Sequence, residues 1–518
     1  MGSQFSKKCL DDLYKNLSKC DTYILKKFND DDISDDQYFL YGILEDIISN
    51  SMHVLTNNFI DSYHSIGVDN SCRTIIEGFT ILEMNKKGLI DNLQKRIYRY
   101  SYSLVDLENY KDIIGENTQE EILKRLLDDA DKCKKTIIER YGCDADFLNK
   151  KNLYLGDPIL YLRNKLKEKV KFNEIINQYN KKYLKNYELF SILSHPHCEL
   201  QMKVYAAIMK IRDASIDVLL NDVSKLIKEY NLDNLDGEEK DFDTVFWNNP
   251  ILGNNKRQIK DVDYLFDSLK YKLCFIEKGT DLYSFLFFEK VKNILKDTLI
   301  SSTLGYLEQV VVTFKCFIEL FAIHYKINSV EDLKEFNVLK TGYWLSSRLQ
   351  IINYLDENGL NIDYGNIELL YNSYYKSKYN LNSIEEFKEN IKKNSLYFLD
   401  KEMKNYTKWV NYMFEKLTNE NQNMYKMLYK ISLDISHASG YNFNSSVGVI
   451  EVNGLIMVSY MLELLINMCM NAVLVYKDEN IDVEITPELS YLNKLRIIYI
   501  DKYKELMKDY RQNINNNL

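Results

Sequence analysis

The chain has 518 residues, 46% of them hydrophobic and 28% charged, which supplies apolar surface for proper cores and excludes compositional disorder. That length exceeds what one core organises, so two to four domains are expected. With 4 Pro and 18 Gly there are too few turn breakers for an all-β protein, and a net charge of -9 argues against a dedicated nucleic-acid coat while leaving room for a local basic groove.

At the N-terminus, Met1-Gly2-Ser3-Gln4-Phe5-Ser6-Lys7-Lys8 fits the N-myristoylation pattern, which matters only in a eukaryote; Met-Gly-Ser is also a common remnant of cloning. Lys7 and Lys8 lead into Cys9-Leu10-Asp11-Asp12 and not into an apolar core, so no secretory signal is expected. An apolar helix then carries Arg73-Thr74-Ile75-Ile76-Glu77. Thr118-x-x-Glu121 reads as a capping box opening a helix that stops near Gly142. Downstream, Tyr187 is followed by Ser194-His195, and Pro196 disfavours helical backbone at His195, so the helix carrying Tyr187 and Leu193 ends there.

Residues 231–262 are acidic (Asp233, Asp236, Glu238, Glu239, Asp241, Asp243) and hold Asn248-Asn249-Pro250 and Gly253-Asn254-Asn255, with apolar periodicity resuming after Tyr264. We take this stretch as a connector between a first half, 1–230, and a second, 263–518. The second half carries Lys315-Cys316-Phe317-Ile318-Glu319 on an apolar helix, then a Ser383-x-x-Glu386 capping box, Tyr429, and Ser436-His437 with Gly440 as a helix stop. Val447 to Tyr476 is strongly apolar, but Glu451 and Glu463 divide it into runs short of the roughly 20 residues a bilayer requires, so a central buried helix packed on the 310–325 helix is expected and no transmembrane segment. Thr486-Pro487-Glu488 opens the last helix.

One offset, 242, relates Arg73 to Lys315, Glu77 to Glu319, Tyr187 to Tyr429, Ser194 to Ser436 and His195 to His437. The expected fold is therefore all-α, two tandem helical bundles related by duplication. In both halves the base precedes the acid, the less stabilising order for a surface pair, and Lys315 and Glu319 are the only charges in Val310 to Tyr325. Half-buried charges need further partners, so Glu77 is expected near His195 and Glu319 near His437, with each His at a helix C-terminus where the dipole favours imidazolium.

Three uses of this constellation stay open: a structural polar cluster, a ligand or anion pocket with Tyr187, Ser194, Tyr429 and Ser436 as binding residues, or a general acid/base site with Arg73, Glu77, His195, Lys315, Glu319 and His437 as catalytic residues. His195-Pro196-His197-Cys198-Glu199 holds metal-ligating side chains but lacks further spaced ligands, and no phosphate loop, H-E-x-x-H or G-x-S-x-G occurs, so neither metal nor cofactor is expected. His53, His64 and His324 read as packed or surface residues. The nine cysteines form no C-x-x-C pair and read as free thiols, with Cys72, Cys274, Cys316 and Cys469 as small buried hydrophobes of a reducing compartment.

The apolar Arg-x-x-x-Glu helix followed by Tyr-x6-Ser-His resembles an uncharacterised bacterial all-helical family over roughly 40–225 and 280–480, and is more distantly similar to HEPN domains, helical bundles often found as ribonucleases in phage defence. The HEPN motif places Arg four to six residues before His, whereas no Arg lies within ten residues upstream of any His here, so only a split site joining Arg73 to His195 in space fits that chemistry. The resemblance implies a cytoplasmic defence or stress-response protein, a sensor or interaction module with a polar pocket, or alternatively an RNA-cleaving effector. A protein partner, a second copy or RNA are the partners it suggests.

Overall fold

The computed structural model describes residues 7–28, 33–60, 65–95, 172–194, 202–234, 250–276, 279–280, 282–304, 306–360, 381–393, 405–416, 425–426, 428–429, 432–433, 447–478 and 483–516, with a few isolated positions besides. Among them the chain is all-α, as the scarcity of breakers requires, save for a two-residue antiparallel ribbon pairing Phe275–Ile276 with Gly279–Thr280. The Thr118 capping box, His64, His195, Ser436 and His437 lie outside the described residues.

In the first half, α1 (Lys7–Phe28), α2 (Asp35–Ile60) and α3 (Ile66–Lys86) pack in succession, and α4 (Phe172–Tyr179), α5 (Leu184–Leu193) and α6 (Met202–Glu229) close around α3. Ser65 caps α3 by accepting the Val68 N–H at 3.1 Å, and Gly88 ends it at φ 69, in the left-handed region a side chain resists. Between those signals α3 is buried on nearly every side, from Ile66 to Met84.

In the second half α7 (Pro250–Cys274), α8 (Leu282–Leu304) and α9 (Leu307–Asn328) pack in succession. α12 (Tyr406–Lys416) and α13 (Val447–Asp478) pack on α9, while α10 (Leu333–Glu357), α11 (Ile384–Lys393) and the last helix α14 (Thr486–Asn516) complete it. Ser383 caps α11 as expected, while the helix opening at Thr486 has Ile485 before it, whose carbonyl accepts the Leu489 N–H at 3.0 Å. Glu386 N–H donates to Ser383 Oγ at 3.2 Å while the Glu386 carboxylate accepts the Asn382 N–H at 2.9 Å, and Glu488 accepts from Ser268 Oγ and pairs with Lys272 at 2.7 Å.

Two expectations are corrected. Helix α7 already begins at Pro250, well inside the stretch read as connector, because Pro is a favoured first helical residue and Val262, Leu265, Phe266 and Leu269 beyond it anchor the helix in the second core. And α13, which does pack against α9, is not buried all round: Met470 is 48% and Leu474 57% exposed, so its C-terminal half keeps one apolar face outside. Its Gly454–Leu474 segment is long and apolar enough to cross a membrane, and 56% of it is buried against the rest of the chain.

Apolar packing falls into two large clusters. One runs from Leu10 to Leu232 and the other from Val262 to Tyr499, the latter taking in Ile66. A third, small cluster joins Leu189, Leu193, Val204 and Ile208 to Ile351, Tyr354 and Leu355 across the halves. Much of the remaining seam is polar: Gln309 Nε2 donates to Asn50 Oδ1 at 2.8 Å, His53 Nε2 meets Ser301 Oγ at 3.3 Å, Thr56 meets Tyr306 at 3.1 Å, and the Gly67 N–H donates to Asp297 at 3.3 Å.

Candidate functional site

The two basic-x-x-x-Glu motifs lie at the centres of α3 and α9, helices that touch each other at the seam. Residues four apart share a helical face, and in α3 the guanidinium of Arg73 donates from Nε to Glu77 Oε1 at 3.2 Å. The charges are more buried than the half-burial expected: Arg73 is 6%, Glu77 1%, Lys315 8% and Glu319 1% exposed. Carboxylates so deep require strong donors, and tyrosines supply them. Tyr187 on α5 donates its hydroxyl to Glu77 Oε1 at 3.0 Å, and Tyr429 donates to Glu319 Oε1 at 3.1 Å. In both halves donor and acceptor are 110 residues apart.

Burial, reinforced by the adjoining carboxylate, pushes both phenols well above their ordinary pKa, which makes them hydrogen-bond donors and poor bases. For Arg73, burial disfavours the charge, but Tyr187 and Glu77 outweigh it and raise the guanidinium pKa. Arg73 also lies against the Tyr187 ring, 5.8 Å from its centroid, so Arg73, Glu77 and Tyr187 form a buried triad.

Four residues earlier, in the 3-10 turn Lys181–Tyr183 that leads into α5, the pattern recurs. Tyr183 donates to Asp222 of α6 at 2.7 Å, and Tyr425, its match 242 residues on, has Glu463 of α13 within electrostatic reach. The Tyr-x-x-x-Tyr spacing was the sequence signal for these pairs, visible as Tyr183/Tyr187 and Tyr425/Tyr429 at the same offset. A further ion pair had no such signal: Arg212 of α6 donates from Nε to Asp69 Oδ1 at 2.5 Å, with both side chains buried. Asp69 stands one turn before Arg73, so α3 presents Asp69, Arg73 and Glu77 along one buried line.

The end of α5 carries the remaining sequence signal. As Pro196 requires, the helix stops at Leu193 with Ser194 as its C-cap. The Ser194 backbone carbonyl accepts from Cys316 Sγ at 3.0 Å, which fixes the end of the first half's Ser-His motif on the second half's basic-Glu helix, between Lys315 and Glu319. Burial, and next the Glu319 charge, push the Cys316 thiol up to about 12, so it is a donor and not a nucleophile. Lys315 and Lys290 of the second half and Arg73 of the first all act on it in the opposite sense, more weakly than Glu319.

Of the ten residues singled out, the structure joins Arg73, Glu77 and Tyr187 in one group and Glu319 with Tyr429 in another, and sets Ser194 on the helix of Lys315. His195, Ser436 and His437 are outside the described residues, so the Glu77–His195 and Glu319–His437 pairings are not placed. His53 and His324 are packed as expected: His53 is buried between Ser71 (2.9 Å) and Ser301, and His324 stacks on Phe287 at 4.0 Å. The described cysteines are free thiols, Cys9 exposed and Cys20, Cys72, Cys274, Cys316 and Cys469 buried. A scan against protein-family models found no match, and neither did comparison with curated proteins or with solved structures.

Proposed function

We propose that the chain is a helical sensor or interaction module of the bacterial defence or stress-response type, and that it binds a small anionic ligand at the seam where α5 ends between α3 and α9. The observation that carries this reading is the contact of Cys316 with the Ser194 carbonyl, which joins a motif of one half to the basic-Glu helix of the other. Arg73, Lys290 and Lys315, which act electrostatically on the Cys316 thiol, are each more than nine-tenths buried. A desolvated group of cations favours a compact anion. Inorganic pyrophosphate added to the full-length chain should bind saturably by calorimetry. Binding should weaken at least tenfold in Lys315→Met. Heats indistinguishable from dilution would remove the reading.

A second reading, an RNA-cleaving effector with a split basic/Glu/His site, is favoured by one observation. Ser194, the residue before His195 in sequence, bonds Cys316, and Arg73 acts electrostatically on the same thiol. His195→Ala and His437→Ala that keep the melting temperature within a few degrees yet abolish cleavage of a short RNA would support it. Loss of stability with no cleavage to lose would leave the cluster structural.

A further inference from the structure

Three segments of the first half meet at one end of its bundle: the close of α3 (83–88), the turn from α4 into α5 (179–185) and the close of α6 (222–234). Side-chain contacts join them. Lys87 Nζ lies 5.7 Å from the centre of the Tyr179 ring, and Lys86 Nζ lies 5.6 Å from that of Tyr230 while pairing with Glu229. Phe79 of α3 stacks on Tyr183 at 5.4 Å, and Tyr183 in turn donates to Asp222. The three segments thus share one continuous surface.

Although the whole chain is acidic, these segments hold seven lysines, all exposed: Lys86 and Lys87, Lys181, Lys182 and Lys185, and Lys225 and Lys228. Their carboxylates are Glu83, Asp222, Glu229 and Asp233. Lys86, Lys87, Lys182 and Lys225 engage the first three of these, whereas Lys181, Lys185 and Lys228 pair with no carboxylate among the described residues. An exposed lysine without a partner adds little to stability, so three of them at one end call for another reason.

The other half shows that the packing does not need them. At the 242-residue offset the seven places are taken by Asn328 and Ser329, by Asn423, Met424 and Met427, and by Asn467 and Met470, none of them charged. The half-buried rings of Tyr179 and Tyr230 go with the lysines, being matched by Asn421 and Ala472, while the buried Tyr183 is kept as Tyr425. The matched segments of the second half have two lysines at other positions, Lys326 and Lys426.

We infer that this end of the first half binds single-stranded nucleic acid, with phosphates along the lysines and bases against Tyr179 and Tyr230. Cations interleaved with accessible rings suit a polyanion that also carries unstacked flat groups. A duplex keeps its bases stacked on one another and offers the rings nothing, and an acidic peptide would use the cations alone. The inference does not rest on the ligand reading at the seam.

A fluorescein-labelled oligouridine of about 12 nucleotides, titrated with the full-length chain and followed by anisotropy, should bind saturably, and more weakly as salt rises. The triple variant Lys181→Gln, Lys185→Gln and Lys228→Gln should keep its melting temperature within a few degrees, bind about tenfold more weakly and show a salt slope smaller by about 2. Lys181→Arg, Lys185→Arg and Lys228→Arg together should bind as the wild type does. Tyr179→Leu with Tyr230→Leu, which keep apolar bulk without a ring, should cost about fivefold or more. Lys326→Gln with Lys426→Gln should change nothing. If the glutamine variant melts early, the arginine and leucine variants carry the test. Absence of saturable binding at low salt, or affinity that the first-half variants leave unchanged, would overturn the inference. So would displacement by poly-aspartate as readily as by unlabelled oligouridine, which would assign the surface to an acidic protein.

Discussion

Compared at the 242-residue offset, the two central helices are packed by different means. At the positions of Asp69 and Arg212, whose ion pair binds α3 to α6, the second half has Val311 on α9 and Gly454 on α13, both buried. At the position of Gly78, where a side chain would meet Ile47 Cγ1 at 2.6 Å, it has Leu320. The Tyr–Glu bond alone is kept with its spacing unchanged. An ion pair is therefore not needed to hold this helix packing, which agrees with buried pairs being replaceable by apolar groups at little cost. What both halves retain is a donor for a carboxylate neither can leave unsatisfied.

That comparison can be broken in several places. Arg212→Met should cost about 3–5 kcal/mol in urea unfolding, because it leaves Asp69 charged and buried without its partner. Asp69→Val combined with Arg212→Met, which imitates the second half, should recover most of that loss; a double variant as unstable as the single one would show that the two halves are not interchangeable here. Tyr187→Phe and Tyr429→Phe should each cost about 1–3 kcal/mol, and the two losses should agree within about 1 kcal/mol if the pairs are equivalent. Acid provides a third measurement. His53 is held neutral by burial, its pKa lowered to about 3, so its contribution is complete above the unfolded value near 6.5 and is lost as pH falls toward 3. Its share of the slope should approach about 1.4 kcal/mol per pH unit in that window and be absent in His53→Gln. Smallest is Leu474→Lys on the open face of α13, expected within about 0.5 kcal/mol of wild type; a larger loss would mean that this face is covered.

Much of the fold was readable because its signals are local. Ser383 and Glu386, Thr486 to Glu488, and the stop at Pro196 all lie where the backbone must change course, and each ends or begins a helix. The start of α7 was misread since Asn, Gly and Pro near residue 250 argue against a helix locally, while the apolar residues that hold it come a dozen positions later. Site chemistry was half legible. The matched spacing marked Arg73, Glu77, Lys315, Glu319 and both tyrosines, yet the expected half-burial followed from isolated pairs, and the tyrosine donors allow burial to be nearly complete. Arg212 could not be found from sequence, for nothing in α6 distinguishes a cation that finds Asp69 across the fold from one that faces water.

The seam between the halves also sets an order of events during synthesis. Lobe-internal contacts of the first half can form as soon as α6 has left the ribosome, but His53 waits for Ser301, 248 residues later, and Asn50 for Gln309, 259 residues later. At about 5–20 residues per second that interval is roughly 12–50 s. Throughout it Ile66, buried at the end in the second half's core, has no place to go and stands open to other nascent chains or to a chaperone.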